Sequence, residues 1–175
     1  RYLLLDCTKY IYEVALGNFG LDYDYWMSIE SDNFPPPYII EHLIALQKRV
    51  VGIPYLHHEG KDTIVLNNVI TKCNEIEFSD FLTPLQALNF FDGTVKEGYQ
   101  TGIGCLLIHK NTLKQIEIRL GNEEENELGL GNPPDYFIHY DLLALGIPVF
   151  LDTRLMCEHR NSKKNWIEIE KKVSK

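Results

Sequence analysis

The chain has 175 residues, of which 45% are hydrophobic and 24% charged, enough for one compact domain with its own core and too little for a second. Its 25 acidic residues against 17 basic ones give a formal net charge of −8. That balance argues against nucleic-acid binding, which draws much of its affinity from Lys and Arg on phosphates.

No apolar run approaches the roughly 18 residues of a membrane span, and no signal peptide is recognisable, so no transmembrane segment and a cytoplasmic location are expected. The chain opens at Arg1 without a Met, so sequence upstream is expected to be missing. The cysteines at 7, 73, 105 and 157 are far apart and form no CxxC pair. That spacing disfavours a zinc site or a disulfide scaffold and suits buried free thiols in a reducing compartment. Lys163, Lys164, Lys171, Lys172 and Lys175 form a basic tail interleaved with Glu168 and Glu170. It reads either as a solvated helix face or as a weak peripheral contact with a membrane surface or a phosphorylated acceptor.

In chain order, residues 2–6 read as a buried strand. Residues 10–21 read as a helix, with Ile11, Val14, Ala15 and Leu16 at helical spacing and Gly17 and Gly20 near its end. Residues 23–29 are aromatic and extended, a strand running into Glu30-Ser31-Asp32-Asn33. Pro35, Pro36 and Pro37 open a helix over 38–48, since the missing N–H of a proline has no partner in a first turn. Strands are expected at 50–55 and 63–70, and a short amphipathic segment at 80–91. Gly102-Ile103-Gly104 leads into an apolar strand at 105–108, and 112–118 fits a helix. The segment 121–134, with Glu123, Glu124, Glu125 and Glu127, is acidic and glycine-rich and reads as a mobile loop. A helix over 135–145 stops at Gly146, a strand covers 147–152, and a last segment follows His159. There is no internal repeat or interdomain linker, so residues 1–175 are read as one domain. Strands alternating with helices imply an α/β fold whose sheet has parallel members.

Chemistry concentrates where strand 23–29 ends, because open α/β sheets place ligands beyond the carboxyl ends of their strands. Glu30 and Asp32 are two residues apart, and at a turn they can converge on one hard cation such as Mg²⁺ or Mn²⁺. The alternative is a polar turn in which Asp32 or Asn33 caps the following helix. Asp135 leads a helix after two prolines, as a functional carboxylate or as a plain cap. His159 lies in Cys157-Glu158-His159-Arg160, as a ligand or as a structural histidine. Gly102 and Gly104 allow close backbone approach to a ligand, or form a tight turn.

In this order the pieces resemble the GT-A glycosyltransferases, especially those like family 2. Ser28-Ile29-Glu30-Ser31-Asp32-Asn33-Phe34-Pro35-Pro36-Pro37 is similar to the strand that ends in the family's Asp-x-Asp type motif, with Glu30 in place of the first Asp. Val50-Val51-Gly52-Ile53-Pro54-Tyr55 resembles the next strand, and Gly102-Ile103-Gly104-Cys105-Leu106-Leu107-Ile108 the glycine turn beside the acceptor site. Pro134-Asp135-Tyr136-Phe137 resembles Glu-Asp-x-x-Phe with Pro134 replacing Glu, and residues 152–159 resemble the closing strand with its histidine. The likeness covers roughly residues 10–160, and in size the chain is similar to a viral member from an archaeal host.

The resemblance implies a single-domain, Rossmann-like GT-A fold with a mixed, mostly parallel sheet flanked by helices. It implies a nucleotide-sugar donor, a glycan, protein or lipid acceptor, and Mn²⁺ or Mg²⁺ held by Glu30, Asp32 and His159. Asp6, Gly102 and Gly104 would touch the donor, and the 121–134 loop would act as a lid. Asp135 would be the base of an inverting reaction, with Asp141 or the loop acids next in line. Asp22-Tyr23-Asp24 is a literal Asp-x-Asp but precedes its strand. The rival readings are a sugar nucleotidyltransferase, for which a basic glycine-rich loop is lacking, and a non-catalytic α/β interaction module.

Overall fold

The computed structural model describes residues 23–59, 63–66, 70–71, 91–119 and 134–159. The expected strand at 2–6 with Asp6, the helix at 10–21, most of the amphipathic segment, the acidic loop before Pro134 and the basic tail lie outside the described residues.

A six-stranded sheet has the order β1-β8-β3-β9-β7-β6, formed by β1 (Tyr25–Ile29), β3 (Val50–Gly52), β6 (Ile70–Thr71), β7 (Val95–Gln100), β8 (Cys105–His109) and β9 (Val149–Asp152). Two short ladders accompany it, β2 (Asn33–Phe34) with β10 (Glu158–His159) and β4 (Leu56–Glu59) with β5 (Thr63–Leu66). The chain is a mixed α/β protein, as its alternating pattern implies.

The expectation of a mostly parallel sheet is corrected among the described residues. Only β3 and β9 pair in parallel, while β8 runs against both β1 and β3, and β7 against both β9 and β6. The physical reason is that Cys105, Leu106, Leu107 and Ile108 are all buried. A strand covered on both faces reads as a continuous apolar run, which announces burial and not direction. Because β8 is antiparallel to both β1 and β3, and β3 is parallel to β9, the strands β1, β3 and β9 all end at one edge of the sheet.

Each face carries a helix. On one, Val51, Ile53 and Leu107 pack against Ile39 and Leu43 of α1 (Ile39–Ala45). On the other, Val50, Leu106, Ile108 and Val149 pack against Ile138 and Leu142 of α3 (Pro134–Ala144). Helix α1 is shorter than expected: the three prolines precede its N-cap, Tyr38, and the chain reverses at Gln47, whose φ is 53°. The expected helix over 112–118 is also corrected. A single turn, α2 (Lys110–Leu113), is capped by His109, whose Nδ1 accepts from the Asn111 N–H at 3.1 Å. Ile116 and Ile118 then both reach the core from non-helical chain, an alternation that a period-two spacing allows.

Helix α3 begins at Pro134, where proline is preorganised, and ends at Gly146 with φ 64°. There Gly146 N–H donates to the Leu143 carbonyl and Ile147 N–H to that of Leu142, the paired bonds of a Schellman motif. This turn sends the chain back into β9, so the amino end of α3 lies at the edge where β1, β3 and β9 finish.

Candidate functional site

The site is built on the turn that follows β1. Glu30 N–H donates to the Gly104 carbonyl at 3.1 Å and Asn33 N–H to the Glu30 carbonyl at 3.0 Å, so residues 30–33 fold tightly against the start of β8. The turn sends its two acids to different partners. Glu30 Oε2 accepts from Asn33 Nδ2 and from the Tyr55 hydroxyl, each at 3.2 Å. Asp32 Oδ2 lies 3.3 Å from His159 Nε2.

His159 arrives from the far end of the described chain because β10 pairs with β2, placing it opposite Asn33. Its ring stacks on that of Tyr55, with centroids 5.6 Å apart and planes 9° apart. Asp32 is the open member of the pair, with 39% of its side chain exposed against 7% for His159. Asn33 is buried, and its Oδ1 has no hydrogen-bond partner.

Gly102 and Gly104 are required by packing rather than by backbone conformation. A Cβ on Gly102 would collide with the Tyr55 hydroxyl, and one on Gly104 with Asn33, Glu30 Oε2 (2.7 Å) and Tyr55 Cε1 (2.8 Å). On the side where a Cβ would point, Tyr55, Asn33 and Glu30 fill the space. Gly52 behaves alike: the chain leaving β7 crosses above it, and a Cβ would meet Thr101 Cγ2 at 2.9 Å.

Asp135 is the second residue of α3, at the helix end nearest this edge, and position 139 lies one turn on along the same helix face. His139 is buried, and burial pushes its pKa down to about 4, with the Thr101 backbone pulling weakly the other way. Asp141 is engaged elsewhere, accepting from Arg119 and from the Glu117 N–H at 3.1 Å each. Asp24 sits at the opposite end of β1, its carbonyl accepting from Lys110 N–H, far from the Asp32–His159 pair.

Sequence reasoning missed Tyr55, which looks like the ordinary end of an apolar run. It also missed a second polar cluster at the same sheet edge. Asp152, fully buried at the end of β9, binds His42 Nε2 at 2.6 Å and Arg154 through both carboxylate oxygens at 2.8 and 2.7 Å. Burial pushes its pKa up, but Arg154 and His42 outweigh this and hold it below the usual carboxylate value. Cys105 and Cys157 are buried free thiols beside the site, and the contact with Cys105, together with burial, pushes the Cys157 thiol up.

Among the described residues no group of three or more His, Cys, Asp and Glu side chains is arranged to hold a metal ion. The expected trio is therefore resolved into a pair, Asp32 with His159, and a neighbour, Glu30, turned toward Tyr55. The Asp32 carboxylate suits Mg²⁺ or Mn²⁺, which keep several positions for water and substrate phosphates, while the His159 imidazole is a softer donor than these cations prefer. The unpartnered Asn33 Oδ1 adds an oxygen at the same turn.

No protein-family model matches the chain, and no curated protein matches it. Among solved structures, it is similar in fold to A197 from STIV, with a TM-score of 0.52 and 16% identity over 89% of this chain. It spans 66% of the length of that protein. No helix among the described residues is long and apolar enough to cross a membrane.

Proposed function

We propose that the chain is a metal-dependent glycosyltransferase of the GT-A class, acting on a nucleotide-sugar donor and a glycan, protein or lipid hydroxyl in the cytoplasm. The observation that carries this reading is the meeting of Asp32 and His159 at 3.3 Å beyond the carboxyl ends of β1 and β3, where α/β sheets bind ligands. Asp32 and His159 would hold Mn²⁺ or Mg²⁺. The cation would supply positive charge to the departing nucleotide diphosphate. Glu30 contributes through the turn: by holding Asn33 and Tyr55 it fixes the presentation of Asp32 and the support of His159. Asp135, at the amino end of α3, would take the proton of the acceptor hydroxyl, as the base of an inverting transfer.

The test is nucleotide binding. UDP and GDP should stabilise the protein against heat in the presence of Mn²⁺ and much less without it. Asp32→Ala and His159→Ala should abolish that metal-dependent shift while leaving the circular dichroism spectrum unchanged. Metal-dependent affinity that survives in Asp32→Ala would remove Asp32 from the site, and with it this reading.

A further inference from the structure

The opposite edge of the sheet carries a concave feature. Tyr25 at the start of β1, His109 at the end of β8, and Gln47, Lys48 and Arg49 leading into β3 line an open cleft with Asn111, of volume about 430 Å³. Small-molecule sites run from about 300 Å³ upward. Along β1, Glu30 lies five positions beyond Tyr25, about 16 Å at the rise of a strand, so this cleft is separate from the Asp32–His159 pair.

The lining is basic and polar, with no acid in it, on a chain of net charge −8. Both cationic groups are positioned by a neighbour. Lys48 Nζ lies 4.1 Å above the centre of the Phe150 ring, and Arg49 Nε donates to Thr112 Oγ1 at 3.1 Å. Neither has a carboxylate partner among the described residues, whereas Lys96, Arg119 and Arg154 each pair with an aspartate. The terminal guanidinium nitrogens of Arg49 therefore remain as donors, and the Lys48 ammonium, seated on the ring face, still carries N–H groups that one ring contact does not use. His109 is also set as a donor: its Nδ1 accepts from Asn111 N–H, which in the neutral ring leaves the proton on Nε2. Tyr25 meets that ring edge-on, with centroids 5.1 Å apart. Gln47 completes the wall in a left-handed conformation, φ 53°.

We propose that this cleft binds a phosphate-bearing ligand, its oxygens received by Lys48, Arg49 and His109 Nε2. A fork of guanidinium N–H groups beside an ammonium and an imidazole N–H suits the several acceptor oxygens of a phosphoryl group. A free phosphate compound and the headgroup of an anionic lipid share that chemistry. The site does not depend on the glycosyltransferase reading.

The experiment uses the full chain and two probes. Calorimetry with inorganic pyrophosphate reads a free phosphate. Co-sedimentation with phosphatidylcholine vesicles, with and without phosphatidic acid, reads a headgroup. The wild type should bind pyrophosphate saturably, or bind the phosphatidic acid vesicles alone, the second result assigning the lipid source. The double variant Lys48→Gln, Arg49→Gln should weaken that binding by about tenfold or more, as the loss of charged hydrogen bonds predicts. Should the double variant fail to fold, Lys48→Glu decides, since its parent side chain only rests on Phe150. Failure of the wild type to bind either probe, or undiminished binding in the folded variant, overturns the proposal.

Discussion

The imidazole of His159 lies parallel to the phenol ring of Tyr55, with 9° between their planes and 5.6 Å between their centroids. The hydroxyl of the same tyrosine donates to Glu30 at 3.2 Å. One buried side chain thus joins the turn after β1 to the strand β10, whose residues are separated by more than a hundred positions in the chain. The Asp32–His159 pair depends on that junction, because His159 is oriented by the ring beneath it.

Two substitutions separate the parts played by Tyr55. Tyr55→Phe keeps the ring and removes the hydroxyl that bonds the exposed Glu30, so stability should fall by about 1 kcal/mol. Tyr55→Leu removes the stacked ring from a core position and should cost about 2–4 kcal/mol. If Asp32 and His159 hold the cation as proposed, Mn²⁺-dependent nucleotide affinity should survive in the first variant and fall by about tenfold or more in the second. Denaturant melts and calorimetry on both variants give the comparison. Equal nucleotide affinity in the two would show that the stacking does not orient His159.

Gly104 should not tolerate even alanine. The added methyl would sit against Asn33, Glu30 Oε2 and Tyr55 Cε1, and relief requires moving the turn that carries Asp32. Overpacking of this kind costs about 1–3 kcal/mol. The midpoint of thermal unfolding should drop in Gly104→Ala, and, if Asp32 and His159 hold the cation as proposed, the metal-dependent nucleotide shift should drop with it. Gly93, where a Cβ would meet nothing within 4 Å, is the wrong control because its φ is 79°. Ser31, exposed in the same turn, is a better one, and Ser31→Ala should leave both readings unchanged.

The alternation of apolar and polar segments made the α/β class, the strand before Glu30 and the Gly146 stop legible. The meeting of Asp32 with His159 was legible only through the order of motifs along the chain. No spacing rule connects positions 32 and 159, and the ladder that joins them, β2 with β10, is two residues long on each side, too short to show a period. Strand direction was not legible for the reason given by β8: a fully buried strand lacks the alternation that would betray its neighbours. The His42–Asp152–Arg154 cluster escaped because Asp152 ends an apolar strand and reads as its polar stop, while its partner His42 lies on a helix 110 residues earlier.

The buried His139 makes stability depend on pH. Its pKa falls from 6.5 to about 4 because burial disfavours the charged ring and outweighs the opposing pull of the Thr101 backbone. Between those values the unfolded chain binds the proton and the folded chain does not. The associated stability is therefore complete above about pH 6.5 and is lost as pH falls toward 4. Across that window the contribution is about 3 kcal/mol at most, from the worth of each unit of pKa. Urea unfolding at a series of pH values should show stability falling with acid in the wild type and a distinctly shallower slope in His139→Leu. Identical slopes would place the acid sensitivity in other groups.

The final prediction separates catalysis from binding at Asp135. Asp135 is the second residue of α3, where a carboxylate also favours the helix through its dipole, by about 0.3–1 kcal/mol. Asp135→Asn keeps the shape and a hydrogen-bonding side chain, so its effect on stability should stay within that range. If Asp135 is the base, the variant should bind metal and nucleotide as before, because in the proposed reading those contacts belong to Asp32 and His159. Its turnover should nevertheless fall by roughly 10²–10⁴-fold, the usual worth of a positioned base. Steady-state rates with a competent donor and acceptor, set beside the Mn²⁺-dependent nucleotide affinity of the same preparation, distinguish the two roles. A helix-capping role predicts unchanged turnover, and that result would overturn the assignment while leaving the metal pair intact. The search for a base would then pass over Asp141, whose carboxylate is held by Arg119 and the Glu117 N–H, and move to Glu123, Glu124, Glu125 and Glu127 in the acidic segment before α3.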